Sequence, residues 1–161
     1  MSTYTTNTGI EKPATGAQSG TWGATVNTNF DIIDRAINGV GAVTLSGGTH
    51  TLTTSDGSTS DGQYKLIVFG GSLSGANTIT ISPNDADKIF FVYNNTSGSQ
   101  NIVFSQGSGA NVTVPNGTTK IIYADGGGSG AIVADLTDKF AMGNVNIDGG
   151  ALALGHPLGA T

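Results

Sequence analysis

Nine short segments with alternating apolar side chains occupy most of the chain between residues 42 and 135. They recur about every ten to twelve residues, and clusters of Gly, Asn, Asp, Pro and Ser separate them. The segments are 42–46, 50–54, 64–70, 77–82, 88–94, 101–106, 111–114, 119–125 and 131–135. Because no helical pattern intervenes, this spacing predicts an antiparallel β-sandwich or jelly roll. The continuous apolar runs within 64–70 and 88–94 predict central strands that are covered on both sides.

A helical pattern precedes the strands. Five apolar residues are spaced by three or four positions and form what we call the helix stripe: Trp22, Val26, Phe30, Ile33 and Ile37. The pattern predicts one amphipathic helix that ends at Asn38–Gly39, and the low helix propensity of Gly23 places its start near Thr25. The stripe either packs on its own domain or contacts further copies or a neighbouring protein.

The remaining segments lack periodicity and complete a three-part organisation. Residues 1–40 are predicted to form an extended arm followed by the helix, and residues 41–136 the β-domain. Residues 137–161 form a Gly-rich, apolar tail that is expected to lie along another subunit or to continue a fibre. The predicted contacts of the tail are Leu152, Leu154 and Leu158.

Charge and hydropathy exclude several classes of partner. The formal net charge is −5, and only 11% of the 161 residues are charged, about half the usual share. A nucleic-acid partner is not expected, because binding phosphates needs a basic surface. The longest apolar run, 66–69, is too short to span a bilayer, so membrane insertion is not expected either. No secretory signal is visible, so synthesis in the cytoplasm is expected.

One C-terminal motif looks catalytic. Residues 155–159, Gly-His-Pro-Leu-Gly, resemble the C-terminal signature of thiolases, in which the histidine lies beside a nucleophilic cysteine. The chain contains no cysteine, so His156 has no thiolate to activate, and we interpret the match as coincidental. No Gly-x-Ser-x-Gly turn supports a serine nucleophile, and His50 in its Thr-rich segment is expected to be exposed. No catalytic residue is assigned.

No cofactor or metal site is predicted. The carboxylate pairs Asp85/Asp87 and Asp56/Asp61 lie in turn-like loops, where Asp commonly forms turns. Weak cation binding there is the alternative, since carboxylates suit hard cations.

Several stretches together resemble a known class of proteins. They are GIEKPATGAQSGTWG (9–23), TNFDIIDRAI (28–37), YADGGGSGAIVADL (123–136) and NVNIDGG (144–150). This sequence is similar to fibre-like and decoration-like virion proteins of tailed bacteriophages, especially of marine phages. The resemblance implies a non-enzymatic structural component of the virion, assembled in the host cytoplasm and most often a homotrimer. Its partners would be copies of itself, other tail, neck or capsid proteins, and a host surface glycan.

Three functions are weighed on this basis. The first is a fibre subunit or its virion-attachment module, with the helix stripe as the anchoring or trimer-packing surface. The second is a capsid decoration protein, which would be present in many more copies per particle. The third is a carbohydrate-binding β-sandwich, which needs exposed aromatic side chains, whereas Tyr64 and Tyr93 lie in apolar segments and are expected to be buried.

Overall fold

A computed structural model of the chain describes residues 1–137. The predicted tail contacts Leu152, Leu154 and Leu158, and the His156 motif, lie outside the described residues.

The N-terminal arm is a small hairpin docked on the β-domain. Its strands β1 (Thr3–Tyr4) and β2 (Glu11–Lys12) pair antiparallel. Gly9, with φ 70°, approaches the loop at Ser55 so closely that a Cβ would overlap the Ser55 carbonyl oxygen. Gly57 N donates to Gly9 O at 2.7 Å. The arm is therefore attached to the domain where sequence predicted only an extended segment.

The predicted helix is confirmed as α1 (Trp22–Asn38), which begins three residues before Thr25. Its C-terminus is closed by Gly39 N, which donates to Arg35 O at 3.0 Å. The Tyr64 ring lies against the backbone that follows, where a Cβ on Gly41 would overlap the ring. The glycine at this position therefore lets the ring pack against the chain just after α1.

Nine strands occupy the nine predicted segments, with bounds shifted by up to two residues. They are β3 (Val40–Thr44), β4 (Thr49–Thr53), β5 (Leu66–Gly70), β6 (Asn77–Ser82), β7 (Asp87–Asn94), β8 (Ile102–Ser105), β9 (Val112–Val114), β10 (Thr119–Asp125) and β11 (Val133–Asp135). The protein is thus mainly β with one α-helix in its described part, as predicted. A short 3-10 helix, Asp61–Gln63, lies between β4 and β5.

The strands form a five-stranded sheet, β11-β10-β7-β5-β3, and a four-stranded sheet, β4-β6-β8-β9. From β3 to β8 the chain alternates between the two sheets, so each return to a sheet runs in the same direction as before. The pairs β3/β5, β5/β7, β4/β6 and β6/β8 are therefore parallel, which corrects the predicted antiparallel order. Antiparallel pairing holds for β7/β10, β10/β11 and β8/β9. This mixed order is not that of a jelly roll, which is antiparallel.

The turns in which the chain passes from one sheet to the other, here called corners, stack on one another. Leu45 N donates to Gly70 O at 2.8 Å, and Leu73 N donates to Ser97 O at 3.0 Å, so each corner bonds to the next one along the chain. Gly71 and Gly98 have φ of 109° and 97°, and a Cβ on either would overlap a carbonyl oxygen of the preceding corner. Glycine permits both the positive φ and the close approach.

One apolar core lies between the sheets. Both sheets contribute side chains to a single cluster, in which the Phe69 and Phe104 rings meet edge to face at 5.6 Å. The two rings come from β5 and β8, one in each sheet. Alternation along the strands sends every second side chain into this cluster, which leaves an outward face on each sheet.

Candidate functional surfaces

The helix stripe is largely exposed. Trp22 and Phe30 are each 62% exposed, Ile37 is 61% exposed and Ile33 is 37% exposed, while Val26 is half-buried. The helix instead buries Ile32, which lies off the stripe and which the sequence pattern did not single out. The stripe is therefore available for contacts outside residues 1–137, and the alternative that it packs on its own domain does not fit these exposures.

The outward face of the five-stranded sheet carries a row of apolar side chains across the strands. In register they are Val40, Leu66, Phe91 and Ile121 on β3, β5, β7 and β10. We call these four residues the transverse row. Val40 is 61% and Phe91 37% exposed, and Ile89, on the same face, is 48% exposed.

β5 and β7 are central strands, as their continuous apolar runs predicted, but only one of their faces is covered by the core. Residues 1–137 leave the transverse row without a full cover on the other face. Tyr64 and Tyr93, predicted to be buried, are half-buried. The Arg35 guanidinium lies 4.7 Å above the centre of the Tyr64 ring, a cation–π contact between α1 and the segment before β5.

Gln63 holds the arm against the domain. It is 3% exposed, and its Nε2 group donates to the carbonyl oxygens of Thr8, Ser55 and Ser58 at 3.0, 3.3 and 2.9 Å. Its Oε1 accepts from Ser60 N at 2.8 Å. Sequence reasoning missed this residue, because a lone glutamine in a polar loop gives no signal of burial.

A cavity of about 140 Å³ lies next to Gln63. Its walls come from the arm (Asn7, Thr8), from α1 (Ala36), from residues 62–65 and from Asp87–Phe90 on β7. We call it the Lys88 cavity, because Lys88 is buried in its wall and is 9% exposed. Burial lowers the Lys88 pKa to about 8, since the surroundings disfavour the charged ammonium.

The hydrogen bonding of Lys88 is sparse. Its Nζ donates to Gly62 O at 3.3 Å and has no other partner in the described residues. Gly62 O also accepts from Thr54 Oγ1 at 3.2 Å, so this carbonyl does not depend on the lysine. An ammonium carries three donor hydrogens, so two of those on Lys88 are unsatisfied by residues 1–137.

A second cavity, of about 330 Å³, lies beside the arm. Tyr4, Thr5 and Thr6 line it together with Asp56, Pro83 and Asp85. One member of each predicted carboxylate pair thus reaches the same cavity. Within residues 1–137 no group of three or more His, Cys, Asp or Glu side chains could hold a metal ion.

His50 does not have the exposure expected of it. It lies on the core side of β4, half-buried, and its Nε2 is buried without a hydrogen-bond partner. Two residues on, Leu52 is fully buried on the same side of the strand. This position offers no carboxylate partner to the ring within the described residues.

The described helices include none with the length and hydropathy needed to span a membrane. No protein-family model, curated protein or solved structure matches the chain.

Proposed function

We propose that this chain is a non-enzymatic structural subunit of a tailed-phage virion, assembled as a homotrimeric fibre of the tail, neck or head or as the attachment module of that fibre. The observation that carries the proposal is the uncovered apolar outward face of the five-stranded sheet. The sequence resemblance supplies the virion context, and the exposed helix stripe supplies a second contact surface.

A copy of the same chain is a suitable cover for this face. Parallel strands with apolar side chains on both faces are normally buried on both sides. The four side chains of the transverse row are uncharged, and the Lys65 ammonium lies beside them, 5.8 Å from the centre of the Phe91 ring. Two copies of a chain of net charge −5 can therefore meet at this row without placing carboxylates opposite each other. The helix stripe adds two large aromatic side chains, Trp22 and Phe30, of the kind that anchors interfaces.

The mass of the purified full chain in solution tests the assembly. We expect light scattering coupled to size exclusion to give three times the 16.1 kDa of the chain. A monomeric mass at micromolar concentration would contradict the trimer.

A pair of matched variants tests the surface. Phe91→Lys places a charge in the transverse row and should dissociate the trimer, because an unpaired charge in an apolar interface is strongly unfavourable. Thr80→Lys introduces the same side chain on the exposed outward face of β6, in the other sheet, and should leave the mass unchanged. Circular dichroism checks that both variants fold. Equal masses for the two variants would place the interface elsewhere.

Copy number distinguishes a fibre from a decoration protein. Labelling of the protein in intact particles should reveal a few trimers at a defined site on the tail, neck or head. Hundreds of copies spread over the shell would favour the decoration function instead.

Binding of a host surface glycan is a second candidate, favoured by the cavity beside the arm. Tyr4 is 40% exposed and lines that cavity with Asp56 and Asp85, which combines an aromatic ring with carboxylate acceptors. Saturation-transfer NMR with host-derived glycans tests it: Tyr4→Ala should abolish the signal, and Tyr123→Ala, on β10 and outside the cavity lining, should not.

A further inference from the structure

The basic residues of this acidic chain are unevenly placed. Of its six Lys and Arg residues, three lie around one cavity: Lys88 and Lys65 line the Lys88 cavity, and Arg35 lies over the ring of Tyr64, which also lines it. The Lys65 ammonium lies over the Phe91 ring at 5.8 Å, and one acidic residue, Asp87, lies in the cavity wall as well.

No carboxylate in the described residues neutralises Lys88. The ion pair found among residues 1–137 joins Lys120 on β10 to Asp135 on β11, and no carboxylate oxygen lies within 4.0 Å of Lys88 Nζ. A buried charge is normally paired, because leaving it unpaired costs several kcal/mol. The Lys88 ammonium therefore lacks a counter-charge among residues 1–137.

Further donors surround the same space. Asn7 Oδ1 accepts from Asp87 N at 3.1 Å, which leaves the Asn7 Nδ2 group without a partner among the described residues. Two carbonyl acceptors at the cavity are already engaged: Gln63 Nε2 donates to Thr8 O, and Thr54 Oγ1 donates to Gly62 O. The unused donors of Lys88 and Asn7 suit an acceptor ligand.

We propose that the Lys88 cavity binds a small oxyanion, such as sulfate, phosphate or a free carboxylate, with the Lys88 ammonium as its principal ligand. The volume of about 140 Å³ has room for several waters or for one five-atom oxyanion. Charge-assisted hydrogen bonds from an ammonium to an oxyanion are roughly twice as strong as neutral ones, so the anion competes with water. The cavity adjoins the assembly surface at Ile89, which belongs to both, but the inference does not rest on the proposed function.

Occupancy would also connect three parts of the molecule. Asn7 and Thr8 belong to the arm, Ala36 to α1 and Lys88 to β7, and all four line the cavity. An anion held between them favours the conformation in which the arm and the helix are docked on the β-domain.

Isothermal titration of the full chain with sodium sulfate tests the site, against sodium chloride at matched ionic strength. Sulfate is the first probe because its own charge is constant near neutral pH. We expect saturable binding to the wild-type chain, and Lys88→Met should weaken it at least about tenfold. Lys12→Met, which removes an exposed lysine outside the cavity, should bind as the wild type does. Phosphate and acetate then decide which oxyanions fit.

The pH dependence gives a second readout. The charged or titratable groups on the surrounding elements are Arg35, Asp61, Tyr64, Lys65 and Asp87. Because the anion favours the charged ammonium, sulfate binding should fall as the pH rises through the Lys88 pKa of about 8. Sulfate should also slow amide exchange in residues 1–12 of the wild type and not of Lys88→Met. Equal sulfate affinity in Lys88→Met and the wild type, or no binding of any of the three anions, would overturn the proposal.

Discussion

The two sheets share one core but present opposite surfaces to their surroundings. The outward face of the four-stranded sheet is almost entirely hydroxylic: Thr49, Thr51, Thr53, Thr78, Thr80, Ser82, Val103, Ser105 and Thr113. The outward face of the five-stranded sheet carries the transverse row and Ile89. Since the inward faces are alike, the outward faces indicate what each sheet meets: water on one side, and by our proposal a second copy on the other.

Charge follows the same division. Every charged residue within the strands of the two sheets lies in the five-stranded one: Asp87, Lys88, Lys120, Asp125 and Asp135. They lie at strand ends, which leaves the middle of that sheet apolar. The strands of the four-stranded sheet contain no charged side chain in the described structure. The five-stranded sheet offers the proposed assembly surface. It is also the sheet in which the charge of strand side chains can affect the free energy of unfolding.

The largest expected effect comes from the core that the two sheets share. Phe104→Ala removes a fully buried ring from the four-stranded sheet and its edge-to-face contact with Phe69 of the other. We expect the free energy of unfolding to fall by about 3–5 kcal/mol, from lost burial and the cavity left behind. Urea unfolding followed by circular dichroism measures it. Thr80→Ala, on the outward face of the same sheet, is the control and should change stability by less than about 0.5 kcal/mol. Similar losses in both would contradict a core shared between the sheets.

Strand positions were predictable from sequence, whereas their pairing was not. Alternation and turn residues are local signals, so segments such as 77–82 and 119–125 were located to the residue. A parallel pair usually needs a long crossover, commonly a helix. Here the crossover from β3 to β5 is β4 of the other sheet, and a short strand in sequence gives no sign of which sheet it joins.

The candidate sites divide in the same way. The helix stripe was visible as a pattern, but its exposure depends on which side of α1 the domain packs against, and Ile32 is the one fully buried residue of the helix. The sequence around Lys88 gave no sign that the side chain is buried, because a lysine at the start of an apolar run is normally an exposed strand end. Its burial arises from the arm, α1 and residues 62–65 meeting around it, which is a property of the tertiary structure.

Within the five-stranded sheet, Lys88 should oppose stability in the absence of oxyanions. Lys88→Met keeps a similar shape and removes the desolvated charge, so we expect a gain on the order of 1–3 kcal/mol at pH 7. The folded-state pKa of about 8 is below the ordinary 10.5, so the unfolded chain binds more protons between these values. Wild-type stability should therefore rise with pH from about 8 to 10.5, and the gain of the variant should shrink over that range.

Urea unfolding at pH 7 and at pH 10, in chloride buffers free of sulfate and phosphate, measures this difference. Lys12→Met controls for the change in net charge and should match the wild type at both pH values. A variant that is less stable than the wild type at pH 7 would contradict the unpaired state of Lys88.

The smallest effect is expected at the β11 edge of the same sheet, where the Lys120 ammonium pairs with Asp135. Burial alone would raise the Asp135 pKa, but hydrogen bonds from Lys120 and Thr137 outweigh it and lower the pKa below 3.8. The stabilisation is thus present above pH 3.8 and is lost as the pH falls through the folded-state pKa.

Because both side chains retain some exposure to solvent, 23% and 16%, Asp135→Asn should cost no more than about 1 kcal/mol at neutral pH. Urea midpoints at pH 7 and pH 3, with Asp31→Asn on the exposed side of α1 as the control, measure it. A loss that persists at pH 3 would mean that the hydrogen bonds of Asp135, rather than its charge, stabilise this edge.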